Sequence, residues 1–284
     1  MLATTLRQQE LFAVEPRRVR PFLKWAGGKF RVLDQILHLL PPGRRLVEPF
    51  AGSAAVSLNA DFPEALVADF NADLVSLYRS IQMDTARFVV EAGALFGGKH
   101  NNRESFEALR AEFNESGDAF RRSIIFVYLN RHGFNGLCRY NAKGRFNVPF
   151  GKYDNPGFPQ AEIEAFADAA ARMEFVHQGF AATMDAAREG DVIYCDPPYV
   201  PLSVTSNFTS YSSGAFGFAE QKALAEKARE CAALGIPVVI SNHNTAESRA
   251  LYQDAEIHTF EVQRFISSKA STRGNAPELL AIFR

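Results

Sequence analysis

Residues 191–201 read DVIYCDPPYVP, and the residues in its middle have types and spacing that could do chemistry. Val192, Ile193 and Tyr194 favour a strand, which Asp196, Pro197, Pro198 and Tyr199 then stop. Two consecutive prolines cannot continue a central ladder, because neither has an N–H to donate and both fix φ near about −65°. Asp196 precedes a proline and is itself held extended. The carboxylate and an adjacent backbone carbonyl form an acceptor-only pair, and Tyr199 supplies a stacking wall. Such a box suits a planar group bearing an NH2: an adenine, a cytosine or a carboxamide. That amine is a poor nucleophile, because its lone pair is delocalised. Two acceptors holding its hydrogens draw it towards tetrahedral geometry and stabilise the positive charge that develops during attack. The rest of the task is to hold a methyl donor in line with the nitrogen.

A second stretch, EPFAGSAAV at 48–56, reads as a strand end, a small-residue turn and a helix start. That arrangement lets backbone approach a ligand closely and aims helix N–H groups at it. It is neither a Walker loop nor a GxGxxG fingerprint. Asp69 ends the next apolar run, where an acid commonly accepts hydrogen bonds from a ribose. Asp69 could equally cap the helix that follows, or do both. Together the two features suggest an adenosine-containing cofactor.

The elements that must position these residues follow from periodicity. Val32, Leu33, Ile36, Leu37 and Leu40 recur at helical spacing until Pro41-Pro42 stops them. RLVEPFAGSAAVSLNA and EALVADFNADLVSLYRSI are two β-turn-α units in tandem, which point to a parallel sheet with covering helices. From Phe88 to Tyr153 the pattern is helical and then Gly/Asn-rich. Strand signals resume in MEFVHQG, DVIYCDPPY, IPVVISNHN, EIHTFEVQRF and ELLAIF, with a helix, FAEQKALAEKARECAALG, between the second and third. Both ends of the chain thus build one α/β domain, 21–72 with 160–284. Residues 73–159 form an inserted, mostly helical domain, and 1–20 a polar tail.

Bulk properties agree with a globular protein: 284 residues, 47% hydrophobic and 22% charged. No apolar run approaches the roughly 20 residues that span a bilayer, so no membrane partner is expected. The first residues lack the compact apolar segment of a signal peptide, and a cytoplasmic location is expected. Cys138, Cys195 and Cys231 are isolated, which fits a reducing compartment and argues against a disulfide framework or a zinc site. The net charge is −1, yet Arg121, Arg122, Arg131, Arg139, Lys143, Arg145 and Lys152 fall in a segment with no Asp or Glu. Such a block suggests a local site for a polyanion, or a solvated charged face.

In this order the motifs FLKWAGGK, LVEPFAGSAAV, ADFNADLVSLY, FRRSIIFVYLNRHGFNGLCRYNAKGRFNVPFGKY, VIYCDPPYVPLS, ISNHNT and ISS…TR resemble the Dam-type DNA adenine-N6 methyltransferases of the D12 class. The resemblance runs from Pro21 to Phe283 and implies a Rossmann-like α/β methyltransferase sheet with an inserted, mostly helical target-recognition domain. It implies S-adenosylmethionine as cofactor, lined by Trp25, Lys29, Asp69 and Asp196, with Phe50 and Gly52 shaping the first turn. Asp196, Pro197, Pro198 and Tyr199 would hold the target adenine. Lys24 would reach the first base of the recognised sequence, GATC, while Leu137 and Arg139 read further bases. Phe134 and Asn135 would fill the gap left by a flipped base, and Lys152 and Tyr153 would contact duplex DNA nearby. No metal is implied, and a monomer is expected.

Elementary chemistry runs parallel to this. Arg is the preferred reader of guanine, and an apolar side chain suits a thymine methyl. A base inside a duplex must be turned out before it can react, at a cost that a wedge such as Phe134 would offset in part. Taken singly, Phe134 reads equally as a core residue and Leu137 as a packing residue. Alternatives remain at this point: another amine or amide substrate, or a DNA-binding regulator that lost catalysis. The sequence also departs from the family pattern. Ala54 stands where a second glycine is common, Phe134 where a tyrosine is, and His132 and Lys152 replace an aromatic and an arginine, with altered phosphate contacts expected. FISSKASTRGN, carrying Lys269 and Arg273, is a candidate phosphate-gripping loop, or equally a flexible solvated one.

Overall fold

The computed structural model describes residues 18–199, 216–263 and 275–284. The N-terminal tail up to residue 17 and the candidate loop with Lys269 and Arg273 lie outside the described residues. Strands form from the apolar runs: β1 (Arg45–Glu48), β2 (Glu64–Asp69), β3 (Met173–His177), β4 (Asp191–Cys195), β5 (Val238–His243), β6 (Glu256–Gln263) and β7 (Asn275–Phe283). They make one seven-stranded sheet in the order β3-β2-β1-β4-β5-β7-β6. β1 to β5 pair parallel, whereas β7 runs antiparallel between β5 and β6. Every residue of β1, β4 and β5 is buried, the mark of strands covered on both faces.

The helices are α1 (Leu33–Leu39), α2 (Ala55–Asn59), α3 (Ala72–Met83), α4 (Thr85–Gly93), α5 (Arg103–Glu115), α6 (Ala119–His132), α7 (Gln160–Ala170), α8 (Phe180–Asp185), α9 (Phe218–Ala233) and α10 (Ala246–Leu251). α9 buries Leu224, Ala225, Ala228 and Cys231 against one face of the sheet. α3 packs on β2, β3 and α6, and buries Leu74, Leu77, Tyr78 and Ile81. α6 begins where the Asp118 carboxylate accepts the Phe120 and Arg121 N–H groups, an N-cap. It is buried nearly all round, so one apolar core continues from the sheet through α3 into α5 and α6. None of the described helices is long and apolar enough to cross a membrane.

Strand order reverses between β1 and β4. The chain leaves β1 towards β2 and β3 on one side, while β5 and β7 lie on the other. Ligand crevices in open α/β sheets form at such a point, beyond the carboxyl ends of the strands. The turn after β1, Asp69 at the end of β2, Asp196 after β4 and the end of β5 all reach this edge. β7 is antiparallel to β5, so its opening residues reach it too, with Glu278 opposite His243.

Candidate active site

Asp196 emerges from β4 with its carboxylate gripped on one side only. Its Oδ1 accepts from Lys29 Nζ at 2.8 Å and from Ser241 Oγ at 2.9 Å. Among the described residues nothing donates to Oδ2. Ser241 comes from β5 and is fully buried, so the adjacent strand fixes the carboxylate. The Pro198 carbonyl accepts from Gln221 Nε2 at 2.6 Å. Gln221 is itself held through its Oε1 by Asn242 Nδ2 at 3.1 Å and the Tyr252 hydroxyl at 3.3 Å. The Pro197 carbonyl has no donor among the described residues. Two acceptors on a rigid strand end, Asp196 Oδ2 and Pro197 O, therefore remain available to an amine.

Lys29 is 6% exposed and donates also to the Gly27 carbonyl at 2.7 Å. Its ammonium stands 4.6 Å from the centre of the Tyr199 ring, within cation–π range. The Tyr199 hydroxyl donates to Glu278 Oε2 at 2.9 Å. Burial holds this phenol well above its usual pKa, and the charges of Asp196 and Glu278 add to that, so it stays a donor.

The turn after β1 is built by close approach. Gly52 has φ 46°, and a Cβ there would sit 2.9 Å from Trp25 Nε1. Its N–H donates to Asp69 Oδ2 at 3.0 Å, and its carbonyl accepts from the Tyr78 hydroxyl. Asp69 Oδ1 accepts from the Asn71 N–H at 2.8 Å. Burial raises the Asp69 pKa, partly offset by these backbone donors. Asn71, not Asp69, caps α3, its side chain accepting from Asp73 and Leu74 N–H. Phe70, next to Asp69, is 81% exposed, with its ring beside His177. Phe50 packs against Phe180 and Phe216. Gly52 thus lies between Trp25 and Asp69, and Lys29 contacts both Asp196 and Tyr199.

Beneath these lies Glu48, at the end of β1. It is fully buried and its Oε2 accepts the Ser57 N–H at 3.2 Å and the Ser57 hydroxyl. Desolvation pushes its pKa up to about 8, despite the Ser57 hydrogen bonds, and the nearby charges of Asp196 and Asp69 contribute. Glu48 is therefore a neutral acid at pH 7.

The residues expected to meet DNA gather around the loop after α6. Asn130, 2% exposed, accepts the Lys24 N–H at 2.9 Å and donates to the carbonyls of Lys24 and Gly136. It ties the FLKW stretch to the loop. Gly136 has no side chain, and Lys24 packs into that space. The Lys24 ammonium lies 4.1 Å from the Tyr153 ring centre, and the Tyr153 hydroxyl accepts the Asn135 N–H at 2.9 Å. Asn135 and Lys152 both adopt positive φ, 55° each. Phe134 is 49% exposed, while Leu137 is partly buried against the core. Arg139 is exposed and donates to Asn147 Oδ1 at 2.8 Å.

The basic block divides. Arg121 pairs with Glu112 at 2.6 Å, Arg122 with Asp73 at 2.5 Å and Arg145 with Glu115 at 3.4 Å. These acids lie outside the block in sequence, which is why it read as unbalanced. Arg131, Arg139, Lys143 and Lys152 have no carboxylate within 4 Å among the described residues. His132 is 1% exposed and stacked on Tyr128 at 3.9 Å, so it contacts no phosphate; it fills the core.

Sequence reasoning missed Ser241, Gln221, Glu278, Glu48, Asn130 and Phe70. Only Glu278, a lone acid in the apolar run PELLAIF, carried a local signal. The others become significant through partners distant in sequence.

The sheet places a carboxylate held on one oxygen at the point where its strand order reverses. The chain belongs to the family described as D12 class N6 adenine-specific DNA methyltransferase, which matches residues 25–266. It is 48% identical over 268 residues to the DNA adenine methylase of Escherichia coli strain K12, covering 94% of this chain and 96% of that protein. The DNA adenine methylases of Salmonella typhi and Serratia marcescens are 48% and 45% identical, over 94% of this chain in each case and 96% and 100% of the relatives. The protein is thus an enzyme that methylates adenine N6 in DNA, with a donor of the S-adenosylmethionine type.

Proposed function

We propose that the enzyme methylates the adenine of GATC in double-stranded DNA, taking its methyl group from S-adenosylmethionine and turning the target base out of the helix. The observation that carries this reading is the asymmetry at Asp196. Lys29 and Ser241 hold Oδ1, leaving Oδ2 and the Pro197 carbonyl as a fixed acceptor pair. An adenine amine seated there would donate both hydrogens, one to each oxygen. Tyr199 would stack on its ring. Asp196 Oδ2 is then placed to receive the proton that N6 loses after attack.

The crevice fits the cofactor. Asp69 presents a carboxylate at a strand end, Phe70 an exposed ring beside it, and Gly52 a turn closed over Trp25. S-adenosylmethionine, when bound, supplies a methyl group made electrophilic by a positively charged sulfur. Trp25, Phe50, Gly52 and Asp69 orient it, and Lys29 holds Asp196 through Oδ1.

Residues 73–159 act as the recognition unit of a monomer whose catalytic part is 21–72 with 160–284. Lys24, Leu137 and Arg139 read base edges, and Lys152 and Tyr153 hold the backbone nearby. Phe134 enters the duplex with Asn135, a role that its exposure and the Tyr153-fastened turn support. The three cysteines are free, which suits the cytoplasm.

The test is methyl transfer from labelled S-adenosylmethionine into unmethylated duplex DNA, with each modified base mapped. N6-methyladenine confined to GATC is expected. Methyladenine in another context would discard the base-reading roles of Lys24, Leu137 and Arg139 and keep the acceptor box.

A further inference from the structure

We infer that Glu278, with His243 beside it, is a positioning residue for Tyr199: it fixes the ring on which the target adenine stacks. The inference rests on the proposed role of Tyr199 and extends it to residues outside the DPPY motif.

Glu278 opens an otherwise apolar stretch of β7, where Leu279, Leu280 and Ala281 are fully buried. It is itself 6% exposed. A carboxylate in such a place is costly unless it is matched to a partner. Its Oε2 accepts the Tyr199 hydroxyl at 2.9 Å. In the β5–β7 register Glu278 stands opposite His243, so both side chains leave the same face of the sheet. The His243 ring meets Tyr199 edge-on, centroids 4.6 Å apart at 79°. Lys29 Nζ makes the third contact, 4.6 Å from the ring centre. A hydrogen bond at the hydroxyl, an edge-on neighbour and a cation near the ring together fix its tilt and rotation. No hinge is left to an aromatic that follows two prolines.

The contact also has an electronic side. A phenol donating to a carboxylate gains electron density in its ring, and its face then attracts positive charge more strongly. Positive charge is what develops on N6 during attack. Glu278 therefore acts on turnover through Tyr199 and does not touch the substrate.

A double-mutant cycle tests this, using Tyr199→Phe, Glu278→Leu, the pair together, and Glu278→Gln. Turnover and KM for a duplex substrate are measured, with fluorescence of 2-aminopurine at the target position and S-adenosylhomocysteine binding as controls. Tyr199→Phe and Glu278→Leu should each lower kcat roughly tenfold, with KM nearly unchanged. The double variant should be no slower than the slower single variant. Glu278→Gln, which keeps an acceptor, should stay within about threefold of the parent. S-adenosylhomocysteine affinity should not move, and both single variants should dampen the 2-aminopurine signal alike. Should Glu278→Leu not fold, Glu278→Asp withdraws the acceptor by one methylene. It should slow the parent roughly fivefold and leave the Tyr199→Phe background unaffected. Losses that multiply, or Glu278→Leu as fast as the parent, would overturn the inference. If the parent enzyme places no methyl on adenine, the reading of Tyr199 itself falls, a result distinguishable from either.

Discussion

Lys29 Nζ lies 2.8 Å from Asp196 Oδ1 and 4.6 Å from the centre of the Tyr199 ring, so one buried ammonium touches both walls of the acceptor box. It comes from FLKWAGGK near the start of the chain, and the box from the turn after β4. The two stretches are distant in sequence and meet through these contacts. The ion pair, with the Ser241 hydroxyl, occupies Oδ1 and leaves Oδ2 available. Lys29→Met should lower kcat on the order of 100-fold, the loss typical of removing one fixed electrostatic group. Asp196→Ala should eliminate methyl transfer. Both should bind duplex DNA within about threefold of the parent in a filter or anisotropy assay. Methylation that survives in Asp196→Ala would remove the amine-holding role from this residue.

Strand positions were legible because each strand is a short apolar run bounded by turn residues, and β1, β4 and β5 are buried on both faces. The order was not. Nothing local in RLVE or DVIYC says that they pair, and nothing local makes β7 antiparallel. The acceptor box was legible for a similar reason: Asp196, Pro197, Pro198 and Tyr199 are contiguous and stiff whatever surrounds them. Ser241 and Glu278 gain meaning only when β5 and β7 flank β4. The helix-cap reading of Asp69 gave way to a neighbour, since Asn71 caps the helix and Asp69 accepts the Gly52 N–H. Only part of the basic block is paired, because the acids Glu112, Glu115 and Asp73 arrive from other elements.

That division predicts how DNA affinity depends on salt. Each phosphate neutralised contributes about 0.9 to the slope of log affinity against log salt. Lys143→Ala and Lys152→Ala should each reduce the slope by about that much. Arg121→Ala, whose guanidinium is committed to Glu112 at 2.6 Å, should leave it unchanged. An equal change in all three variants would mean that the whole block faces the polyanion.

Phe134 is half exposed at the tip of a turn fastened by the Tyr153 hydroxyl on the Asn135 N–H. A wedge needs both a ring and a rigid base. Phe134→Ala should lower kcat by roughly tenfold and suppress the rise in 2-aminopurine fluorescence at the target position. Tyr153→Phe, which keeps the ring under Lys24 and removes the acceptor, should do the same to a smaller degree. Cofactor affinity, measured by calorimetry, should be unaffected in both.

Ala54 sits at φ 55° with no exposed surface, a left-handed conformation that costs an L-residue about 1–2 kcal/mol. Glycine avoids that cost but gives back about 0.5–1 kcal/mol through the greater freedom of the unfolded chain. Ala54→Gly should therefore stabilise the protein by up to about 1 kcal/mol in denaturant unfolding. A destabilised variant would mean that the methyl contributes more by packing than the strain costs.

Glu48 predicts a pH dependence with a definite sign. Its folded pKa is about 8, raised by burial from 4.5. Between these values the folded chain holds a proton that the unfolded chain has released. Stability from this group is thus fully present below about pH 4.5 and is lost as pH rises towards about 8, a decline on the order of 4 kcal/mol. Glu48→Gln keeps an oxygen for the Ser57 N–H and hydroxyl but cannot ionise. Its unfolding free energy, measured in denaturant between pH 5 and 8, should fall less steeply than that of the parent. Parallel curves would mean that Glu48 is ionised in the folded protein.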